Sequence, residues 1–478
     1  MDSIPIPDRS CDGFAEVLGE RHRRDVVAAL ERLRSSLDGR ALWHVSATAT
    51  GGGVAELLSS LLGYEAGAGV DVRWMVVAGD DAFFNFTKRL HNWLHDDEGD
   101  RGTVSDRELA RYREHLAHQA EELVQRARPG DVAVLHDPQT AALVPILRRH
   151  GMAVAWRCHI GVDRPGELAR RAWALLLDEV GEADACVFSR AAHAWDGLAR
   201  DRIMVASPCI DVLSPKNRPL DRTVATAVLE TAGLLGTAPS SPSGATSAAA
   251  PDHRVTRRAD VTEDQPVPNG ARLVAQVSRW DRLKDPVGVL HAFEAHGPED
   301  ESVHLVLAGP ADGVADDPEG SAAFAEAREA WAGLHPAVRC RAHLARLPMH
   351  DADENATIVN ALQRRADVII QKSLAEGFGL TVAEAMWKRR PVIASAVGGI
   401  QDQIVHGESG ILVDPLDLAA VGRALASILA DEEGAARMGE AAHRRVCDRF
   451  LPLHHFAHEA ELVGRLIRSQ GARASLPA

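Results

Sequence analysis

The chain has 478 residues, more than one hydrophobic core usually organises, so its length predicts two domains. Its 53 Lys and Arg against 68 Asp and Glu give a formal charge of −15, which argues against wide contact with nucleic acid or an anionic membrane. The six cysteines form no Cys-x-x-Cys pair, which favours reduced thiols in a cytoplasmic protein over disulfides or a zinc site. We expect neither a signal peptide nor a membrane-spanning segment, because no basic N-terminal region precedes an apolar run and no long apolar window occurs.

Short apolar runs alternate along the chain with longer stretches of helical period, which predicts parallel, doubly wound sheets. Strands are predicted in the first half over 41–47, 70–78, 131–137, 152–160, 184–189 and 202–207. They are predicted in the second half over 271–278, 303–309, 337–343, 367–373, 391–396 and 410–414. Twelve strands exceed one sheet, so the predicted fold class is α/β with two Rossmann-like domains facing a cleft.

The break between the domains is predicted near a Pro- and Ser-rich loop, which gives an N-terminal domain over 1–215 and a C-terminal domain over 216–452. The last helix, over 453–478, is predicted to cross back onto the first domain. Residues 236–270 contain almost no large apolar side chain and cannot bury enough surface to offset the entropy of ordering. They are therefore predicted to be a mobile insertion in the second domain.

Two glutamates flank a glycine-rich turn in the stretch QKSLAEGFGLTVAEAMW. Glycines at 377 and 379 allow close approach to a ligand, and the helix predicted to begin near Thr381 offers N–H groups suited to phosphate. Glu376 is predicted to bind sugar hydroxyls, with a solvated loop carboxylate as the alternative. Glu384 could hold a ribose diol, but Thr381-x-x-Glu384 also fits a capping box that needs no ligand, and the spacing leaves both open.

Two cations, Arg279 and Lys284, follow the strand predicted over 271–278. Such a pair at a strand end can neutralise a diphosphate leaving group and take the place of a metal ion. The alternative is an ordinary pair of surface charges. Because the turn is predicted to lie at the cleft, we favour the diphosphate.

The first half carries a glycine-rich turn, TATGGGVAELL over 48–58, that could approach a phosphate or a sugar. It does not match G-x-G-x-x-G, which disfavours a nicotinamide cofactor. His136 and His159 end two other predicted strands and suit sugar recognition, with structural histidines and a helix cap at Asp137 as alternatives.

A pair of aspartates in HDADENA could hold a divalent metal, but it precedes a predicted helix that Asp353 would cap. We therefore predict no metal site there. The sequence contains no G-x-S-x-G, P-loop or H-E-x-x-H motif, so those hydrolase, NTPase and zinc-protease classes have no support.

Taken together, Glu376…Glu384 and the basic pair Arg279 and Lys284 resemble the retaining family-4 glycosyltransferases, which have the GT-B fold. The stretches GGGVAELLSSLL, FFNFTKRLHNWLH, VLHDPQTAAL and WRCHI are similar to the trehalose glycosyltransferring synthases, and the likeness spans residues 41–450. The resemblance implies transfer of glucose from a nucleoside diphosphate glucose, such as UDP- or ADP-glucose, to the anomeric hydroxyl of glucose. The product would be α,α-trehalose, formed with retention.

The resemblance also assigns roles to individual residues. The diphosphate and nucleotide would be bound by Arg279, Lys284, Gly379, Leu380, Thr381 and Glu384. The sugars would be contacted by Gly52, Gly53, Asn85, His136, His159, Glu376, Gly377 and Phe378. Catalysis would depend on Glu376, Arg279, Lys284 and His159.

The resemblance makes the first domain the acceptor side and the second domain the nucleotide-sugar side. It implies no cofactor and no required metal, with Mg²⁺ at most an activator. The implied partners are the small-molecule substrates and a second copy in a homodimer, with no nucleic acid and no membrane. Three alternatives stay open: a retaining trehalose phosphorylase, a transferase with a sugar-phosphate acceptor, and a sugar-nucleotide-binding regulator without turnover.

Overall fold

The computed structural model describes residues 1–50, 52–99, 101–236, 255–311 and 319–474. The chain divides into two compact units. The first unit comprises Met1–Asp211, Glu376–Phe378 and Phe450–Ala478, and the second comprises Val212–Ala375 and Gly379–Arg449.

The first unit is built around one sheet. Its strands are β1 (Asp2–Ile4), β2 (Leu42–Ser46), β3 (Val72–Val76), β4 (Val132–His136), β5 (Ala153–Cys158), β6 (Ala185–Phe188) and β7 (Ile203–Val205). Its helices are α1 (Gly13–Leu18), α2 (Glu20–Leu37), α3 (Gly52–Gly67), α4 (Asp81–Leu94), α5 (Asp106–Arg126), α6 (Val144–Arg149), α7 (Glu167–Val180) and α17 (Pro452–Ala474). The strand order is β1-β3-β2-β4-β5-β6-β7, parallel except for β1 at the edge. The six strands predicted in the first half all form.

Alternate residues of each strand in this sheet enter two different cores, as the period of two requires. Val132 and Val134 face Leu33 of α2 and Val463 of α17, whereas Leu135 joins the opposite core with α4, α5 and α7. Helices therefore cover both faces, as in a parallel sheet whose strands are apolar throughout.

The second unit holds another sheet with helices around it. Its strands are β8 (Asp260–Thr262), β9 (Arg272–Val277), β10 (Val303–Pro310), β11 (Ala342–Leu347), β12 (Val368–Gln371), β13 (Val392–Ser395) and β14 (Ile411–Val413). Its helices are α8 (Arg222–Thr231), α9 (Pro286–His296), α10 (Gly320–Gly333), α11 (Pro336–Arg339), α12 (Ala352–Arg365), α13 (Leu380–Trp387), α14 (Ile400–Gln403), α15 (Leu418–Ala430) and α16 (Glu432–Arg449). The order is β14-β13-β12-β9-β10-β11-β8, parallel except for β8 at the edge. Among the helices in the described ranges, none has the length and apolar composition needed to cross a membrane.

The strand predicted over 337–343 is wrong for residues 337–341. Pro336 begins the short helix α11, and the ring of His335 accepts a hydrogen bond from the N–H of Ala337. Proline at the first helical position favours a helical turn, so the strand starts only at Ala342.

Of the insertion predicted to be mobile over 236–270, the structure describes residue 236 and residues 255–270, and these residues form hydrogen bonds with the second unit. There β8 pairs with β11, and the carboxylate of Glu354 accepts hydrogen bonds from the N–H groups of Thr256 and Arg257. The N–H of Ala259 also donates to the carbonyl of Ala232 at 2.8 Å, next to the end of α8. These polar contacts order a segment that has few apolar side chains; residues 237–254 of the prediction lie outside the described residues.

Candidate active site

In the second unit, the strand order reverses direction between β12 and β9. From β9 the chain proceeds to β10 and β11 on one side, and from β12 to β13 and β14 on the other. Ligands of open parallel sheets bind at the carboxyl ends of the strands at such a reversal. The loops that leave β9 and β12 contain Arg279, Lys284 and the start of α13, so these predicted nucleotide-binding residues are at the reversal.

The turn after β9 presents the two predicted cations. The carboxylate of Asp281 accepts a hydrogen bond from the N–H of Leu283 at 2.8 Å and lies 3.4 Å from the guanidinium of Arg279. Lys284 ends the 3-10 helix that follows, and both cationic side chains are partly exposed. A rigid turn thus holds two cations at one strand end.

A buried lysine that the sequence analysis missed connects this turn to the loop after β12. Lys372 is 2% exposed and forms an ion pair with Asp285. Its N–H donates to the side chain of Gln276 at 3.1 Å, and Gln276 donates to the carbonyl of Lys284 at 2.9 Å. The only sequence signal was a lysine directly after an apolar strand. The two loops are therefore fixed to each other.

Helix α13 begins at Leu380, and the capping-box alternative is wrong. Its N-cap is Gly379, with φ 84, and no side chain caps it. The hydroxyl of Thr381 instead donates to the side chain of Gln371 at 3.0 Å. Positive φ favours glycine, so position 379 allows the sharp entry that leaves the first turn without a side-chain cap.

Glu384 lies in a buried polar network rather than at a helix cap. It is 1% exposed, with one carboxylate oxygen 3.5 Å from the Lys216 ammonium and the other 3.4 Å from the amide nitrogen of Gln363. Gln363 also accepts a hydrogen bond from the ammonium of Lys388 at 2.7 Å. The ribose-binding role of Glu384 stays a prediction.

Residues 376–378 pack within the first unit. A side chain at Gly377 would collide with the carbonyl oxygen of His159, and the Phe378 ring meets Phe450 edge-on at 5.6 Å between centroids. Glu376 is half-buried. The glycine is therefore required for close packing against the loop that contains the predicted sugar-binding histidine.

The first sheet has a similar reversal, between β2 and β4. Gly52 and Gly53 open α3 after β2, and His136 is the last residue of β4. His136 lies between two other histidines, with His159 3.2 Å away. Asn85 lies on the exposed side of α4, so its contact with a sugar stays a prediction.

Asp137 has an unusual backbone conformation beside this site. Its φ of 63 lies in a region that side chains disfavour, which costs about 1–3 kcal/mol. Its carboxylate accepts the N–H of His159 at 2.7 Å, and its carbonyl accepts the indole N–H of Trp156 at 3.1 Å. The cap predicted as an alternative for Asp137 is wrong, since its side chain makes no cap hydrogen bond. The carboxylate instead orients His159.

Burial raises the pKa of Asp137 from 3.8 to about 7. The native state therefore holds more protons than the unfolded chain between these pH values, so this group should lower the free energy of unfolding as pH rises through the window. Replacing Asp137 by Asn removes the titration. We expect the free energy of unfolding of Asp137→Asn, relative to that of wild type, to be larger at pH 8 than at pH 5 by at least about 1 kcal/mol. Urea unfolding at the two pH values measures this difference. Parallel pH dependences would contradict the prediction.

The Asp-x-Asp pair is a helix cap, but the capping residue is Asp351. Its carboxylate accepts the N–H groups of Asp353 and Glu354 at the start of α12. A different group, His44, Glu65 and Glu459, brings three possible metal-ligand atoms within 4.8 Å of one another in the first unit. These residues are far apart in the sequence and have no motif spacing, which is why the sequence analysis missed them.

Two family models match the chain. The model described as "Trehalose synthase, N-terminal domain" matches residues 44–195, and the model described as "Glycosyl transferases group 1" matches residues 258–445. A trehalose synthase from Rubrobacter xylanophilus is 34% identical, over 93% of this chain and 95% of the relative. One from Pyrococcus horikoshii is 32% identical, over 96% and 97%. A trehalose phosphorylase from Grifola frondosa is 24% identical over 91% of this chain, which spans 58% of that protein.

Solved structures share the fold at lower sequence identity. An alpha,alpha-trehalose-phosphate synthase (UDP-forming) from Burkholderia vietnamiensis matches with a TM-score of 0.64 and 16% identity, covering 92% of this chain and 98% of that chain. A structure described as trehalose-6-phosphate from E. coli bound with UDP-2-fluoro glucose matches with a TM-score of 0.64 and 14% identity, covering 90% and 99%. The prediction of an α/β protein with the GT-B fold is confirmed.

Proposed function

The chain belongs to the trehalose synthase family of glycosyltransferases, and from this premise we propose that it moves glucose from a nucleoside diphosphate glucose to the anomeric hydroxyl of free glucose. The product is α,α-trehalose, with retention at the donor carbon. The observation that carries the proposal is the turn after β9, which holds Arg279 and Lys284 at the reversal of the second sheet. A dianionic leaving group needs cations at such a position.

The proposed reaction is a front-face substitution. Arg279 and Lys284 stabilise the diphosphate as its bond to the anomeric carbon lengthens, and Glu376 holds hydroxyls of the donor glucose. A departing phosphate oxygen takes the proton of the acceptor hydroxyl, so the new bond forms on the face that the diphosphate leaves. Because two side-chain cations offset the charge, the diphosphate needs no resident metal, and Mg²⁺ acts at most as an activator.

The direct test incubates the purified protein with glucose and each of UDP-, ADP- and GDP-glucose, with EDTA or with Mg²⁺, and identifies the disaccharide and the anomeric configuration. We expect α,α-trehalose and one nucleoside diphosphate released per linkage, also in EDTA. Trehalose formed only from glucose 1-phosphate would overturn this in favour of a phosphorylase. A phosphorylated disaccharide formed only with a sugar-phosphate acceptor would also overturn it. Absence of any product would leave the binding-only alternative.

We predict that Glu384→Gln raises the KM for the nucleotide sugar about tenfold and changes kcat less, because a charged hydrogen bond to the ribose is lost in ground and transition states alike. Steady-state rates at saturating glucose measure this split. Glu432→Gln, an exposed change at the start of α16, is the matched control and should behave as wild type. An unchanged KM in a folded Glu384→Gln variant would mean that Glu384 does not bind the ribose and only takes part in the buried polar network.

A further inference from the structure

Three histidines form a row across the first sheet, from β2 to β4 to the residue that follows β5. Nδ1 of His44 lies 3.1 Å from Nε2 of His136, and Nδ1 of His136 lies 3.2 Å from Nε2 of His159. The ring planes are nearly parallel, at 27° and 16°. In the strand register, His44 is opposite Val134 and His136 is opposite Arg157. Each step therefore advances two residues and stays on one face of the sheet.

The row begins at a buried carboxylate on α17. One oxygen of Glu459 lies 3.4 Å from Nε2 of His44, and the other lies 3.6 Å from Nε2 of His455. Burial alone would raise the pKa of Glu459, but His44 and His455 hold that pKa well below its usual range. Glu459 is therefore ionised and can only accept hydrogen bonds.

A second carboxyl group completes this end of the row. Glu65 of α3 is fully buried, and no N–H or hydroxyl group of the described residues donates to either of its oxygens. Burial, and then the neighbouring Glu459, raise the pKa of Glu65 well above its usual range. Two buried carboxyl groups this close favour a single negative charge between them, and the opposite directions of their pKa shifts place that charge on Glu459.

We propose that Glu459 fixes the tautomer of His159 through this row and is a positioning residue for it. The Glu459 carboxylate, 3.4 Å from Nε2 of His44, favours a proton on that nitrogen, which makes no hydrogen bond with any other group of the described residues. Nδ1 of His44 then accepts the Nε2–H of His136. Nδ1 of His136 in turn accepts the Nε2–H of His159. Nδ1 of His159 is left with a lone pair, so His159 accepts a hydrogen bond from a sugar hydroxyl. Only this last step rests on the proposed function.

Burial and neighbouring charges favour the neutral forms of His136 and His159. Burial, and then the neighbouring His44, lower the pKa of His136; burial, and then Arg157, lower the pKa of His159. Arg157 is 7% exposed. The other titratable groups that face the row are His455, Asp137 and the two glutamates. An additional proton on His136 or His159 would be repelled by Arg157, so each of these two rings carries one proton, and the contact of Glu459 with His44 sets the direction of the hydrogen bonds.

The first test reads the tautomers directly. The full-length protein, labelled with ¹⁵N-histidine and free of substrate, is examined by long-range ¹H–¹⁵N NMR, and His→Gln variants assign the signals. We expect the proton on Nε2 in His44, His136 and His159. A proton on Nδ1 in any of the three would overturn the proposal. The proposal would also be overturned if a divalent cation copurifies with the protein and its removal by EDTA shifts the His44 signals. His44, Glu65 and Glu459 would then be metal ligands, and the hydrogen bonds of the row would point in the opposite direction.

The second test removes the acceptor while keeping its volume. Glu459→Met should populate the Nδ1–H form of His159 and lower kcat/KM by about tenfold, whereas Glu459→Asp retains the carboxylate and should retain Nε2–H. Glu461→Met, an exposed change on the same helix, is the control. An unchanged His159 signal in folded Glu459→Met would overturn the proposal; if that variant does not fold, the wild-type tautomers still decide. Because the tautomers are measured without substrate, a failure to form trehalose would contradict the proposed function but would leave the tautomer proposal intact.

Discussion

Replacing Arg279 or Lys284 by alanine is expected to lower kcat for trehalose formation by about a hundredfold or more. Each change removes one of the two cations that offset the leaving diphosphate. The turn that holds them is braced by Asp281 and by the bond from Gln276 to the carbonyl of Lys284, so truncating either side chain leaves the backbone in place. Initial rates with nucleotide glucose and glucose measure the loss.

The same turn supplies a control. Arg282 lies between the two cations in the sequence, but its guanidinium is exposed and pairs with Glu326 on α10. Arg282→Ala should therefore keep nearly normal turnover. If Arg279→Ala and Lys284→Ala both match the turnover of Arg282→Ala, the diphosphate is not bound by this turn.

Replacing Glu376 by glutamine is expected to lower kcat about a hundredfold, with a smaller change in the KM for the nucleotide sugar. The carboxylate is proposed to hold donor hydroxyls near the reacting carbon, where hydrogen bonds strengthen as positive charge develops. Close packing of Gly377 and Phe378 within the first unit fixes the segment, so the substitution should not reshape it. Single-turnover rates separate this effect on chemistry from product release.

A carboxylate on another loop provides the comparison for this variant. Glu408 is exposed, and Glu408→Gln makes the same chemical change away from the proposed site. It should leave both kcat and KM unchanged. If Glu376→Gln and Glu408→Gln have equal turnover, the Glu376 carboxylate does not contribute to the reaction.

The sheets were predictable because strands buried on both faces are apolar throughout and stand out from amphipathic helices. The edge strands β1 and β8 were not, since Asp2–Ile4 and Asp260–Thr262 form no apolar run, unlike the edge strands β7 and β14, which are apolar throughout. A strand was wrongly predicted over 337–343 because Val338 and the apolar residues near it resemble a strand, whereas Pro336 favours a helical turn.

The candidate site was predictable only where residues are close in the sequence. The spacing of Thr381 and Glu384 fits a cap or a ligand equally well, and the cap is excluded only by the structure, in which α13 begins after Gly379 and Glu384 is buried beside Lys216 and Gln363. No local pattern predicts a contact with Lys216, more than a hundred residues away. The same holds for Glu459, which reaches His44 only through tertiary packing.

The hydrogen bond between Ala259 and Ala232 has a consequence for how this family can diverge. The N–H of Gly236 also donates to the carbonyl of Val267 at 2.8 Å, so the described residues on either side of 237–254 are held close together. Doubling the number of residues between two such fixed ends costs only about 0.6 kcal/mol in closure entropy. Insertions and deletions can therefore accumulate between those anchors during evolution, or be engineered there as a tag, while the β9 and β12 loops keep their chemistry.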